Sequence, residues 1–220
     1  MGTVIITGAN GSLGLPAVRY LLSQYPTYTV ICTVRNDSNE DANTRKLREA
    51  LAGSENASIR KLDLASLSAV RQFADEIRSE IASGQLPPLH AVIWNAMCWT
   101  LLGGLKLSAD GYERSLAVNH LSHFAMTLQL LDSFDKANGR IIFLGSDSHG
   151  KSDLQELPTV LPDDLDLIVH PTPDEEGQAV ARGFQRYGIS KLVMIMTMYE
   201  LNRRLKAVRG ESCRALDFSI

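Results

Sequence analysis

Tyr187 and Lys191 stand four residues apart in the stretch Y-G-I-S-K. On a helix that spacing puts both side chains on one face. A tyrosine can deliver a proton to an oxygen that is becoming negative, but its ordinary pKa of about 10 makes ionisation hard at neutrality. An ammonium beside it favours the phenolate and lowers that value. The pair alone carries little information, because Tyr-x-x-x-Lys arises by chance in many chains. Ser146 strengthens it: it follows the apolar run R-I-I-F-L-G at 140–145, and ligands bind beyond the carboxyl ends of strands in open parallel sheets.

A second chemical signal lies near the start, in T-G-A-N-G-S-L-G at 7–14. It closes an apolar run (3–7) and opens a helical pattern (15–23). Small residues there let the backbone approach a pyrophosphate, and the helix N-terminus offers unpaired N–H groups and positive dipole charge. Gly8, Asn10, Gly11, Ser12, Leu13 and Gly14 are the candidate phosphate-site residues. Selectivity for an unphosphorylated ribose calls for a carboxylate about 20 residues on. The second strand instead ends T-V-R-N, with Arg35 able to stack on adenine and pair with a 2′-phosphate, and Asp37 two places later. That favours NADP(H) over NAD(H).

The elements that must position these groups alternate regularly. Strands are predicted at 3–7, 28–34, 58–64, 89–95, 140–145 and 213–218, and helices at about 15–23, 39–52, 66–82, 111–133 and 184–206. Continuous apolar strands joined by helices imply right-handed parallel crossovers. The predicted fold is α/β: a single Rossmann-type domain over 1–220, a doubly wound parallel sheet of about six strands in three layers.

Taken in order, T-G-A-N-x-x-L-G, D-L at 63–64, N-A at 95–96, V-N-H-L-S-H-F at 118–124, Ser146 and Y-G-I-S-K resemble the short-chain dehydrogenase/reductase family over nearly the whole chain. The long stretch between Ser146 and Tyr187 is similar to the subgroup holding retinol dehydrogenases and protochlorophyllide reductases. The resemblance implies an NADP(H)-dependent oxidoreductase interconverting a carbonyl and an alcohol on a small molecule. Tyr187 would be the general acid/base and Ser146 the partner of the substrate oxygen. Lys191 would also bond the nicotinamide ribose, and Asn119 would hold a water that links Lys191 to solvent. It adds Asp63, Leu64, Asn95 and Ala96 to the cofactor site, alongside Tyr187 and Lys191, and allows a homodimer through the 111–133 and 184–206 helices. Departures from the family pattern are Ser12 in place of a glycine, and Trp94 and Met97 in its Asn-Asn-Ala-Gly turn. These narrow the nicotinamide end.

The bulk numbers exclude other classes. The chain has 220 residues, 45% hydrophobic and 21% charged, with a net charge of −3, which offers nothing to nucleic acid or an anionic membrane. No apolar stretch is long enough to span a bilayer, and no signal peptide is evident. Cys32, Cys98 and Cys213 are odd in number and set in apolar runs, which reads as free thiols in a reducing, cytoplasmic setting. His120 and His123 lack a clear third ligand, so no metal is expected. Met194, Met196 and Met198 read as core or subunit packing. Segment 151–178 holds eight acidic residues against one lysine, plus four prolines. It reads as a solvated excursion, and its place also permits a flap beside the site. The chain stops soon after the sixth strand, where the family continues with substrate-covering helices. A truncated nucleotide-binding or inactive remnant is therefore the alternative reading.

Overall fold

In a computed structural model, which describes residues 1–150, 156–209 and 214–218, one parallel sheet forms the centre. Its six strands are β1 (Thr3–Ile6), β2 (Thr29–Val34), β3 (Ala57–Lys61), β4 (Leu89–Trp94), β5 (Arg140–Leu144) and β6 (Arg214–Phe218), in the order β3-β2-β1-β4-β5-β6. The chain winds outward from β1 to β3, then crosses back to place β4 on the other side of β1. This reversal opens a crevice between the carboxyl ends of β1 and β4.

Alternation along the strands feeds two cores. Ile5 and Ile31 face one side, packing with Phe73, Met126, Met194 and Met198. Ile6, Val30 and Cys32 face the other, packing with Val18 and Leu47. Helices α1 (Gly14–Gln24) and α2 (Ala42–Leu51) cover the second side, and α3 (Leu67–Ala82) the first. Asp41 and Ser66 start α2 and α3 as N-caps, accepting from Thr44 N (2.7 Å) and Ala69 N (3.3 Å). Met194 and Met198 are core residues, whereas Met196 is about half exposed.

Two helices differ from expectation. The 111–133 helix starts only at Arg114 and is not α-helical throughout: α4 (Arg114–Leu116) passes into a π-helical turn (Ala117–Leu121) and then α5 (Ser122–Leu130). The helix expected at about 184–206 runs as α7 (Ala179–Arg209), starting directly after the acidic segment. The third strand is shorter than 58–64, so Leu62, Asp63 and Leu64 sit past its end, at the mouth of the crevice. Cys213 lies outside the described residues.

The acidic segment, from 156 onward, is not simply solvated. It forms a short helix, α6 (Asp166–Val169), and folds onto α4 and α7. Glu113 N donates to Val169 O at 2.7 Å, and Arg186 makes a two-pronged ion pair with Asp174. The segment also reaches the turn after β5, where the Thr159 hydroxyl donates to Ser148 O at 3.1 Å. A cavity of about 250 Å³ remains between the segment and the α7 face bearing Arg182, Arg186 and Ile189.

Candidate active site

The glycine-rich turn is built by contact with the end of β4. Gly8 has φ +62°, and a Cβ there would stand 2.9 Å from the Ala96 Cα, so only glycine fits. Thr7 laces the two strand ends together: its Oγ1 accepts from Asn95 N (3.0 Å) and Ala96 N (2.9 Å) and contacts His123 Nε2 at 2.8 Å. The Asn95 amide donates in return to Thr7 O (2.7 Å) and Gly8 O (3.1 Å). Asn10 is tied to α2, its amide donating to Thr44 Oγ1 at 3.0 Å. Asn95 and Asn10 therefore shape the turn with their side-chain amides.

An open cleft of about 480 Å³ lies over this turn. Gly8, Asn10, Gly11, Ser12 and Leu13 form one wall, and Arg35 stands on the rim after β2. Asp63 and Leu64 line it beyond β3, and Asn95 and Ala96 beyond β4. Gly14 is buried behind the turn and does not line the cleft. Arg114 and Cys98 also line it; neither stands out in the sequence, because α4 and the loop after β4 bring them in. Asp37 is exposed outside the cleft. Of the acids after β2, Asp41 does line it; it is held as an N-cap, and the Thr44 N–H lowers its pKa.

Asn119, Ser146, Tyr187 and Lys191 do not line this cleft; they gather where β5, the π turn and α7 meet. Ser146 lies just past β5 and caps a short 3₁₀ turn (Asp147–His149), its Oγ accepting from Ser148 N at 3.3 Å. Tyr187 is buried, and Lys191 Nζ lies 5.8 Å from its ring centroid while donating to Leu144 O at 2.7 Å. Burial pushes the Tyr187 phenol above its ordinary pKa, and a hydrogen bond with the Ser146 side chain acts in the opposite sense. Desolvation thus sets the direction of the shift. Asn119, fully buried in the π turn, accepts from Cys98 N (2.7 Å) and donates to Cys98 O (2.9 Å) and Ser190 Oγ (2.9 Å). Ser190 in turn donates to Tyr187 O at 2.7 Å. Both amide hydrogens of Asn119 are thereby committed, one to the loop after β4 and one to α7.

The two histidines of the π turn and α5 are packing groups. His123 stacks on Trp94 at 5.2 Å and burial lowers its pKa to about 3; His120 stacks on Phe124 and is lowered to about 4. Among the described residues no cluster of three or more His, Cys, Asp or Glu is arranged to hold a metal. Among the same residues no helix is long and apolar enough to cross a membrane.

The model of the short chain dehydrogenase family matches residues 2–156. Curated relatives include a short-chain dehydrogenase iccH from Talaromyces variabilis, 34% identical over 93% of this chain and 65% of its own length. Protochlorophyllide reductase A of Oryza sativa subsp. japonica is 34% identical over 95% of this chain and 55% of its own. The WW domain-containing oxidoreductase of Drosophila melanogaster is 32% identical over 97% of this chain and 47% of its own. The chain thus spans between about half and two thirds of the length of these relatives. Among solved structures, the NADPH-bound carbonyl reductase from chicken fatty liver superposes with a TM-score of 0.69 at 17% identity, covering 99% of this chain and 78% of that one. A metagenomic short-chain oxidoreductase in complex with NADP gives 0.68 at 18%, covering 99% and 81%.

Proposed function

This chain belongs to the short-chain dehydrogenase family, and from that premise we propose that it is an NADP(H)-dependent oxidoreductase interconverting a small carbonyl compound and its alcohol. The observation that carries the proposal is the grouping of Tyr187, Ser146 and Lys191 near a cleft that fits a dinucleotide. The fit rests on Gly8, whose missing Cβ leaves the turn open, and on two arginines, Arg35 and Arg114, offered to phosphate groups. The absence of Asp37 from the cleft and the N-cap duty of Asp41 leave Arg35 to read the ribose, favouring a 2′-phosphate. Both relatives of known structure named above hold NADP(H). Small-molecule binding at the cleft needs neither nucleic acid nor a bilayer, and cytoplasmic residence and a homodimer remain parts of the proposal.

When bound, the dinucleotide supplies or accepts the hydride. The protein's part is the proton and the developing charge. Ser146 and Tyr187 donate to the substrate oxygen, Tyr187 releasing its phenolic proton as that oxygen gains electrons. Lys191, anchored on Leu144 O, faces the phenolate that results and stabilises it. Asn119 keeps the loop after β4 and the backbone of α7 at Tyr187 in register, and is proposed to keep Lys191 in contact with solvent through water.

Tyr187→Phe tests this directly. NADPH affinity by calorimetry should be retained while NADPH oxidation with a panel of ketones and aldehydes falls by about 10²–10⁴-fold. Undiminished turnover would remove Tyr187 from the mechanism. One rival is a nucleotide-binding chain without productive turnover, and the position of Asn119, Ser146, Tyr187 and Lys191 outside the cleft lining favours it. NADPH binding with no ketone or aldehyde reduced by the wild-type chain would establish that rival instead.

A further inference from the structure

The loop after β4 sets an aromatic ring against the proton donor. Trp99 packs edge-on to Tyr187, centroids 5.5 Å apart at 63°, and to Phe184 at 5.7 Å and 80°. Two features fix it there. Asn119 clamps both backbone groups of Cys98, on one side of Trp99. On the other side Thr100 lies directly on α7 at Gly183, where a Cβ would be 2.4 Å from Thr100 O and 3.0 Å from the Leu101 Cα. A glycine inside a helix is unfavourable relative to alanine; here it is the space that lets the loop dock. Val180, Phe184 and Tyr187 recur at helical spacing, so they share the face that Trp99 borders. Yet Trp99 remains 50% exposed and Val180 46%. A tryptophan packed on one edge and left half open on the other can contact something apolar.

We propose that Trp99 is a specificity-determining residue, and that the site takes flat aryl ketones and aldehydes in preference to saturated carbonyl compounds of equal size. The inference rests on the carbonyl reading above and names its substrate class. An aryl ring gains offset or edge-to-face contact with the open indole while its carbonyl lies within reach of Tyr187 and Ser146. A saturated ring of the same carbon skeleton gains burial alone.

Acetophenone and cyclohexyl methyl ketone form a matched pair for the test. Their dissociation constants are measured by calorimetry on the full chain, with and without NADP⁺, which cannot reduce either. Wild-type protein should prefer acetophenone by roughly three- to tenfold. Trp99→Leu should bring the ratio near unity and Trp99→Phe should keep most of it, both with NADP⁺ affinity unchanged. Gly183→Ala, which displaces the loop, should also lower the ratio. A wild-type ratio near unity, a preference that survives Trp99→Leu, or no binding of either ketone overturns the proposal. Loss of NADP⁺ binding by the wild-type chain would instead count against the cofactor reading, and the ketone ratio without NADP⁺ would still decide this one.

Discussion

Tyr187 feels two opposed influences: burial raises its pKa, and the Ser146 side chain lowers it. A donor of protons profits from the first, because the phenol stays protonated at and below its raised pKa. Carbonyl reduction should therefore hold steady from neutral pH into the alkaline range, whereas alcohol oxidation, which needs phenolate, should rise with pH. Removing the hydrogen bond in Ser146→Ala pushes the phenol further up. The oxidation limb of kcat/KM should then move to higher pH, beyond any loss in rate, and an unmoved limb would show that Ser146 does not tune Tyr187. His123 titrates in the other sense. Its folded pKa, about 3, lies below the value of about 6.5 for an unfolded histidine. Its contribution to stability is complete above the unfolded pKa and is lost as pH falls toward the folded one, because only the unfolded chain gains the proton readily. The unfolding free energy from urea titration should fall between about pH 6.5 and pH 4, by about a few kcal/mol with His120 contributing. His123→Gln, able to keep the Thr7 contact, should flatten part of that fall.

The elements show which signals in the chain were local. The alternation of strands and helices was legible because the central strands are apolar runs and several turns carry glycine or a capping residue, as at Gly8, Asp41 and Ser66. The π turn was not, since A-V-N-H-L is acceptable in any helix. Its location coincides with Asn119, whose bonds run to Cys98 and Ser190, partners remote in sequence. The grouping of Tyr187 with Ser146 was legible from strand end and helix spacing, but not the upward shift of the phenol by burial, which depends on what covers α7. Nor did the acidic segment announce a buried member. Asp174 and Glu113 both approach Arg186, whose side chain is 8% exposed beside their 6% and 1%. Burial raises the Glu113 pKa despite that arginine. Arg186→Met would leave Asp174 buried without its ion pair and Glu113 without a nearby cation. The expected loss is about 3–5 kcal/mol in urea unfolding. Asp174→Asn with Arg186→Met should recover part of it, and a neutral single variant would mean that the segment relaxes into solvent.

At the scale of the whole molecule, the crossover from β3 to β4 opens one crevice between β1 and β4. Its walls come from β1, the ends of β2, β3 and β4, and the π turn, so a ligand lying along it touches elements from both halves of the sheet. Such a ligand binds only the folded chain and must stabilise it as RT ln(1 + [L]/Kd). At a concentration of 100 times its Kd, NADPH should contribute about 2.7 kcal/mol, visible as a raised thermal midpoint. NADH at the same concentration should raise the midpoint less, because Arg35 gains a second charge to pair with only in NADPH. Arg35→Ala should bring the two midpoints together chiefly by lowering that for NADPH. Gly8→Ala should remove both shifts, since its Cβ would meet the backbone of Ala96 at the join of the two halves. Equal shifts from NADPH and NADH in the wild-type chain would mean that the rim after β2 does not read the ribose, and the proposed preference for NADP(H) would fall.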